Sequence, residues 1–499
     1  MKPIAPLRGE ERDFFGRLAD LVFSNPFAGT ETSLAGLPEA GRGPGSGEHP
    51  LAAAALVADR QIERLESRGI ADLGSVGPED RRLLESAYLL QAYDRFIEPF
   101  DALIRTQLAA GDEPVAVSFA GDLARLLKRR GFAAVEIGRL VALFYQLRRA
   151  YFFIAHSLLG DSPSMEQLRS ALWDSVFTSD ILAYRDHLWD RMEDFSTLLL
   201  GETGTGKGTA AAAIGRSGLI PFDEKKGRFA CSFTSTFIAT NLSQFPETLI
   251  ESELFGHRKG SFTGAIEDHE GLFGRCSPHG SLFLDEIGDL SAPVQLKLLN
   301  VIQDRIFSPV GSRRTLRFEG RVIAATNRPL DELRRQGRIR DDFFFRLSSD
   351  VIEVPPLRQR LRERPSELAQ LAGQLLARMT GKPDERLAAR VLERLRRHLP
   401  AGYAWPGNVR ELEQALRRIL VKGRYVADPA GRAGRPAWLD EAAEGRLTAD
   451  ELLGHYCRQL YDRHGSYEEV ARRTALDRRT VKKHVTSSAP PHAADRGGL

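Results

Sequence analysis

Apolar residues recur at two different periods along the chain, and the change of period divides it. From Leu51 to about Ile154 the spacing is helical. Pro78 followed by Glu79 and Asp80 predicts a helix start, because proline fits the first turn and acids there face the positive end of the helix dipole. Leu84, Ala87, Tyr88, Gln91, Arg95 and Glu98 trace one series, with Leu83, Leu90, Ile97 and Leu103 as apolar neighbours. A second helix is expected from Val135 to Ile154, carrying Ile137, Leu140, Val141, Phe144, Leu147, Tyr151 and Ile154 at steps of three and four. These stripes read as a helical core rather than a cofactor box. The pattern contains neither alternating strands and helices nor the acidic pocket of a phosphate-accepting receiver.

After Leu158 short apolar runs alternate with helical stretches: STLLLG (196–201), STFIATN (235–241), GSLFLDE (280–286), GRVIAATN (320–327) and DVIEVPPL (350–357). Runs of this kind suit strands buried on both faces, which predicts a parallel sheet covered by helices. After Pro356 the chain reads helical to about Lys422, and the segment 448–486 is short, helical and basic. Two stretches rich in Gly, Ala, Pro or charge, 35–50 and 423–447, read as connections.

Composition adds limits. At 499 residues, 42% hydrophobic and 27% charged, the chain has material for two to four globular domains. A net charge of +3 says little about partners. Cys231, Cys276 and Cys457 are far apart and form no CxxC pair, which argues against a disulfide framework or a zinc site and suits a reducing cytosol. The N-terminal MKPIAPLRGEERDFF lacks a signal-peptide core, and LAAAALVA is too short to span a bilayer. A cytoplasmic protein with no membrane partner is expected.

Two motifs carry chemistry. Gly201-Glu202-Thr203-Gly204-Thr205-Gly206-Lys207 follows one apolar run and precedes an Ala-rich helix, the setting of a phosphate loop. Its glycines let backbone N–H groups approach phosphates, the helix N-terminus adds positive charge, and Lys207 reaches the β- and γ-phosphates of ATP. Gly208 stands where a Mg²⁺-binding hydroxyl is usual, with Thr209 next, so the metal must rely on other ligands and water. One run further on, Ser281-Leu-Phe-Leu-Asp285-Glu286 ends in two acids. Asp285 is the candidate Mg²⁺ ligand and Glu286 the candidate base for an attacking water.

These residues, together with ESELFGHRKGSFTGA (251–265), GSLFLDEIGDL (280–290), RVIAATN (321–327) and WPGNVREL (405–412), resemble the AAA+ domain of bacterial sigma-54-dependent transcription activators. The resemblance covers about residues 158–425 with the motifs in family order. It implies an α/β fold class: an AAA+ phosphate-loop parallel sheet (158–355) with a helical lid (356–425). An all-α regulatory domain (1–157) would precede it, and a linker (426–447) and a small helix-turn-helix domain (448–499) would follow. Gly260-Ser261-Phe262-Thr263-Gly264-Ala265 is similar to the family signature GAFTGA, with Ser261 for alanine. From the residues alone, Phe262 could equally pack into its own core or meet a partner. The family implies a loop that touches sigma-54 through Phe262 and Thr263.

The resemblance also implies individual roles. Asn241 would hold Glu286 in an idle position, and Asn327 would sense the γ-phosphate. Arg340 and Arg346 would act as fingers on a neighbouring subunit's ATP, and Arg410 would contact nucleotide from the lid. Fingers acting in trans imply a ring, with a hexamer expected. The stretch WDRMEDF ahead of the phosphate loop is an addition to the family pattern.

The C-terminal YEEVARRTALDRRTVKKHV (467–485) reads as helix, turn, helix, with Val470 and Ala471 inward, Leu476 at the turn, and Val481 and Val485 packing the second helix. Arg472, Arg473, Arg478, Arg479, Lys482 and Lys483 face a single acid, Asp477, a balance suited to DNA phosphates. Arg478, Arg479 and Thr480 are expected to touch bases, and Lys482 and Lys483 the backbone, of an upstream double-stranded site. The expected function is an ATP-driven activator that remodels sigma-54 RNA polymerase. Two rivals stand beside it: an AAA+ remodelling ATPase not acting on sigma-54, and a nucleotide-gated binding module that never hydrolyses ATP.

Overall fold

In the computed structural model, residues 6–22, 24–28, 50–400, 402–427, 438–439, 442 and 445–487 are described. Most of the 35–50 and 423–447 connections, and the chain after residue 487, lie outside them. Five parallel strands form the central sheet: β1 (Thr197–Leu200), β2 (Phe237–Asn241), β3 (Ser281–Asp285), β4 (Arg321–Thr326) and β5 (Asp350–Glu353), in spatial order β2-β3-β4-β1-β5. Leu198 pairs with Ala324 and Phe283 with Ile323, so the apolar runs of the three inner strands sit side by side. β4 is buried along its whole length, as a strand covered on both faces requires. Its first residue, Arg321, is buried as well. The guanidinium donates to the Phe195 carbonyl (3.0 Å), Ser175 Oγ (3.0 Å) and Thr197 Oγ1 (2.8 Å), and burial pulls its pKa down to about 10.

The N-terminal part is helical: α1 (Gly9–Val22), α2 (Pro50–Ser67), α3 (Pro78–Arg95), α4 (Ile97–Ala110), α5 (Ala120–Arg129), α6 (Ala134–Ser157) and α7 (Pro163–Phe177). The series expected to run from Leu84 to Glu98 is broken. α3 ends at Arg95, and Phe96 (φ −112, ψ 10) turns the chain into α4, leaving Arg95 and Glu98 exposed. One apolar core runs across residue 157. It joins Leu84, Tyr88, Phe100, Phe144 and Ile154 to Ala210, Ala211 and Ile214 of α8 (Lys207–Gly215), the helix after the phosphate loop, and to Leu199 and Ile323 of the sheet.

Four helices, Leu357–Glu363, Glu367–Thr380, Glu385–His398 and Asn408–Lys422, enclose a separate core around Trp405, Leu371 and Leu416. Three more, Ala449–His464, Tyr467–Thr474 and Arg478–Ser487, close over Cys457, Val470, Val481 and Val485. Among the described residues no helix is long and apolar enough to cross a membrane.

Candidate active site

At the C-terminal end of β1 the chain curls before entering α8. Gly204 has φ +80, and a Cβ there would press on the Gly407 carbonyl oxygen and lie 3.0 Å from Arg410 Cβ. The loop therefore needs glycine both for its backbone and for the approach of the lid. The buried Lys207 ammonium donates to the carbonyls of Gly201 (2.8 Å) and Glu202 (3.2 Å). Burial lowers its pKa, with Glu286 and Asp285 opposing.

A cleft of about 470 Å³ opens over this loop. Thr203, Gly204, Thr205, Gly206, Lys207, Gly208 and Thr209 line one wall; Asn241, Asp285 and Glu286 line another; Arg410 and Glu413 reach in from the lid. Leu158, Leu159, Met165 and Leu168, with Leu371 and Leu375 of the lid, give the cleft an apolar stretch, beside which Arg360 and Arg378 of the lid also line it. An apolar stretch and phosphate-binding N–H groups with a lysine match the two ends of a purine nucleotide. WDRMEDF lies elsewhere, at the N-terminal end of β1, where Asp194 pairs with Arg305 at 3.1 Å.

Glu286 sits in the left-handed region (φ 60), a conformation that costs free energy in a non-glycine residue and clusters at functional sites. Its carboxylate accepts from the Asn327 N–H at 3.3 Å, and the Asn327 side chain donates to Thr203 Oγ1 at 2.9 Å. One asparagine thus bridges the acid and the phosphate loop. Burial pushes the Glu286 carboxyl up; the Asn327 N–H opposes this and the neighbouring Asp285 carboxylate adds to it. The bridge from Asn241 to Glu286 is not formed. Asn241 Oδ1 accepts from the Ser243 N–H at 2.9 Å and shapes the turn after β2, although the residue still lines the cleft.

The latch between loop and lid was not read from the sequence. Glu202 receives both Arg358 nitrogens (2.7 and 2.5 Å) and Asn408 Nδ2 (3.2 Å). The Arg358 hydrogen bonds hold its carboxyl below the usual range. The Val409 and Arg410 N–H groups donate to the Gly204 carbonyl at 3.1 and 3.4 Å. Trp405 and Asn408, both at φ 52, bend the chain onto the loop. WPGNVREL gave a role to Arg410 alone, because nothing in sequence spacing pairs residue 408 with residue 202.

Arg340 and Arg346 lie outside this cleft, flanking or ending the helix Asp341–Leu347. Arg340 grips Asp342 through two nitrogens (3.1 and 2.8 Å). Arg346 borders a shallow depression with Leu299, Gln303 and Phe345, and the Phe345 ring is 66% exposed.

In the loop 256–269, Gly260 N–H bonds to the Ala265 carbonyl (2.8 Å) and Ala265 N–H to that of Phe262 (3.0 Å), closing a tight tip. Phe262 is exposed (37%) with its ring edge-on to His257 at 4.9 Å, and Thr263 and Gly264 beside it are exposed too. Ser261 turns inward against Gly311, and its Oγ is buried without a hydrogen-bond partner.

In the C-terminal helices, Arg472 and Arg473 are both tied to Glu469, whose carboxyl these two cations hold down at about 2. Arg478 pairs with Glu468 at 3.0 Å. Thr480 hydroxyl donates to Asp477, which also caps the N–H groups of Arg479 and Thr480, so Thr480 serves the helix start. Arg479, Lys482 and Lys483 lie on the exposed side of that helix.

The fold and the cleft define a phosphate-loop α/β protein whose lid closes on the loop. Residues 185–353 match the sigma-54 interaction domain family and residues 362–425 the AAA+ ATPase lid domain. The transcriptional regulatory protein ZraR of Klebsiella oxytoca is 33% identical over 405 residues, covering 79% of this chain and 84% of ZraR. The DNA-binding transcriptional regulator NtrC of Bradyrhizobium sp. (strain RP501 Parasponia) is 37% identical over 264 residues, 53% of this chain and 48% of NtrC. Against several such relatives the chain spans about half their length. The crystal structure of NtrX from Brucella abortus in complex with ADP aligns over 74% of this chain and 80% of its own, at 20% identity and a TM-score of 0.40. The chain belongs to the sigma-54-dependent transcription regulators.

Proposed function

We propose that the protein is an ATPase that activates sigma-54 RNA polymerase from an upstream DNA site. The observation that carries this reading is the convergence of Lys207, Asp285, Glu286 and, through Asn327, Thr203 on one cleft with an apolar stretch. The phosphate chain of ATP lies along the loop and the N-terminus of α8, with Lys207 against the β- and γ-phosphates and the base between Leu158 and Leu375. Among the described residues no cluster of three or more metal-ligating His, Cys, Asp or Glu side chains occurs. Mg²⁺ would therefore be held by Asp285 with phosphate oxygens and water, the hard oxygen donors it prefers, and would neutralise charge developing on the phosphates. Glu286 takes a proton from a water; the new O–P bond forms at the γ-phosphorus as the bond to the bridging oxygen breaks and ADP departs.

Arg340 and Arg346 complete the site of a neighbouring subunit in a ring, Arg340 exchanging Asp342 for phosphate. Asn327 reports the state of the γ-phosphate through its two contacts. The tip at Phe262 and Thr263 then grips sigma-54, while Arg479, Lys482 and Lys483 hold DNA. The test is Thr263→Ala, which lies outside the cleft. ATP turnover stays near wild type and open-complex formation at a sigma-54 promoter is lost. Full activation by that variant would refute the loop assignment and favour a remodelling ATPase with another target.

A further inference from the structure

The C-terminal end of the phosphate-loop helix α8 is held by an N-terminal helix in an unusual way. Arg149 of α6 is fully buried, yet no carboxylate pairs with it among the described residues. Its two terminal nitrogens donate to the carbonyls of Arg216 (2.6 Å) and Gly218 (2.7 Å), just past the end of α8. One turn earlier on α6, Gln146 Nε2 donates to the Ser217 carbonyl at 3.0 Å, and Gln146 is itself fixed by the Tyr184 hydroxyl at 2.8 Å. The guanidinium stacks over the Tyr145 ring at 4.5 Å. Three successive carbonyls beyond the helix thus accept hydrogen bonds from side chains of α6.

They follow directly on the negative end of a helix whose positive end faces the phosphates. A buried cation there compensates the end charge, and its forked geometry fixes direction as well as distance. The same α6 ends at Ser157, and Ser157, Leu158 and Leu159 line the apolar stretch of the nucleotide cleft. One helix and the two residues that follow it therefore reach both the far end of α8 and the apolar wall of the cleft.

We propose that Arg149 and Gln146 are positioning residues for nucleotide binding. As a clamp on the far end of α8, they set the spacing between the phosphate cradle and the base slot. This rests on the reading of the cleft as an ATP site. The test compares Arg149→Met, Arg149→Lys and Tyr184→Phe with wild type in the full chain. Three readouts are taken: thermal midpoint, dissociation constant of a fluorescent ATP analogue, and the separate KM and kcat for ATP. Arg149→Met removes charge-assisted hydrogen bonds and is expected to raise the dissociation constant and KM about tenfold, more than it lowers kcat. Arg149→Lys, which keeps the charge but not the fork, restores only part of that loss. Tyr184→Phe, which only loosens Gln146, gives a shift of about two- to threefold.

A folded Arg149→Met protein with a lower midpoint but unchanged dissociation constant and KM would reduce the clamp to ordinary scaffolding and overturn the inference. Should Arg149→Met not fold, unchanged nucleotide affinity in Tyr184→Phe overturns it equally. A wild-type protein that binds nucleotide without turning it over would sink the ATPase reading and leave the clamp to be judged on the dissociation constants.

Discussion

Glu367→Ala should be among the most damaging single substitutions in this chain, although Glu367 touches no part of the proposed chemistry. Its carboxylate is fully buried beside Arg360, whose side chain is 3% exposed. One oxygen receives Arg360 Nε (2.6 Å) and Nη2 (2.5 Å); the other receives the N–H groups of Asp161 (3.2 Å) and Ser162 (2.7 Å). Arg360 also donates to the Leu159 carbonyl at 2.6 Å, so the pair pins the segment 159–162 to the lid. Alanine would leave a buried guanidinium without its anion and two backbone donors without an acceptor. Breaking a buried pair from one side costs about 3–5 kcal/mol, and a stranded buried donor about 1–3 kcal/mol. The terms overlap, so a total of about 4–6 kcal/mol is expected.

Urea unfolding followed by far-UV circular dichroism checks this, with the midpoint moving at unchanged slope. The double change Arg360→Met with Glu367→Leu should recover the part of the loss due to the uncompensated charge, while the Asp161 and Ser162 N–H groups stay without their acceptor. A loss under about 1 kcal/mol for Glu367→Ala would refute the reasoning, since that is the worth of an exposed pair.

Two further outcomes follow from the site. The raised carboxyl of Glu286 means the folded chain holds that proton more tightly than the unfolded chain does. Glu286 therefore favours the native state below the ordinary glutamate range and disfavours it as pH rises through the folded value. Turnover, which needs the ionised form, should fall on the acid side at a higher pH than for an exposed glutamate. Glu286→Gln should abolish hydrolysis yet melt higher than wild type at neutral pH; a lower melting temperature would contradict the raised value. Ser261→Ala removes a hydroxyl buried without a partner, and stability should stay level or rise by up to about 1 kcal/mol. A drop larger than that in thermal unfolding would mean the hydroxyl is satisfied after all.

The sheet was legible because its signal is local. Five short apolar runs, each bounded by glycine, acid or asparagine, became the five strands, and Lys207 at the start of α8 meets Asp285 and Glu286 at the end of β3 on one cleft. What escaped involves charged residues buried against distant partners. Arg149, Arg321 and Arg360 look like surface cations, since sequence carries no mark that residue 360 will meet residue 367 under a loop at residue 159. The break between α3 and α4 did leave a mark, Pro99 in the first turn of α4, but the series read from Leu84 to Glu98 ran past it. Asn241 was placed by its strand end correctly, but its side chain found a nearer donor in Ser243.

The apolar core that runs from Phe144 and Ile154 into Ala210 and Ile323 has a consequence for how such chains can be recombined. A cut at residue 157 would strip the outer layer from α8 and leave apolar surface on the phosphate-loop half. Replacing the N-terminal helices, or transplanting the phosphate-loop domain elsewhere, would have to keep α6 with that domain and place the junction upstream of it.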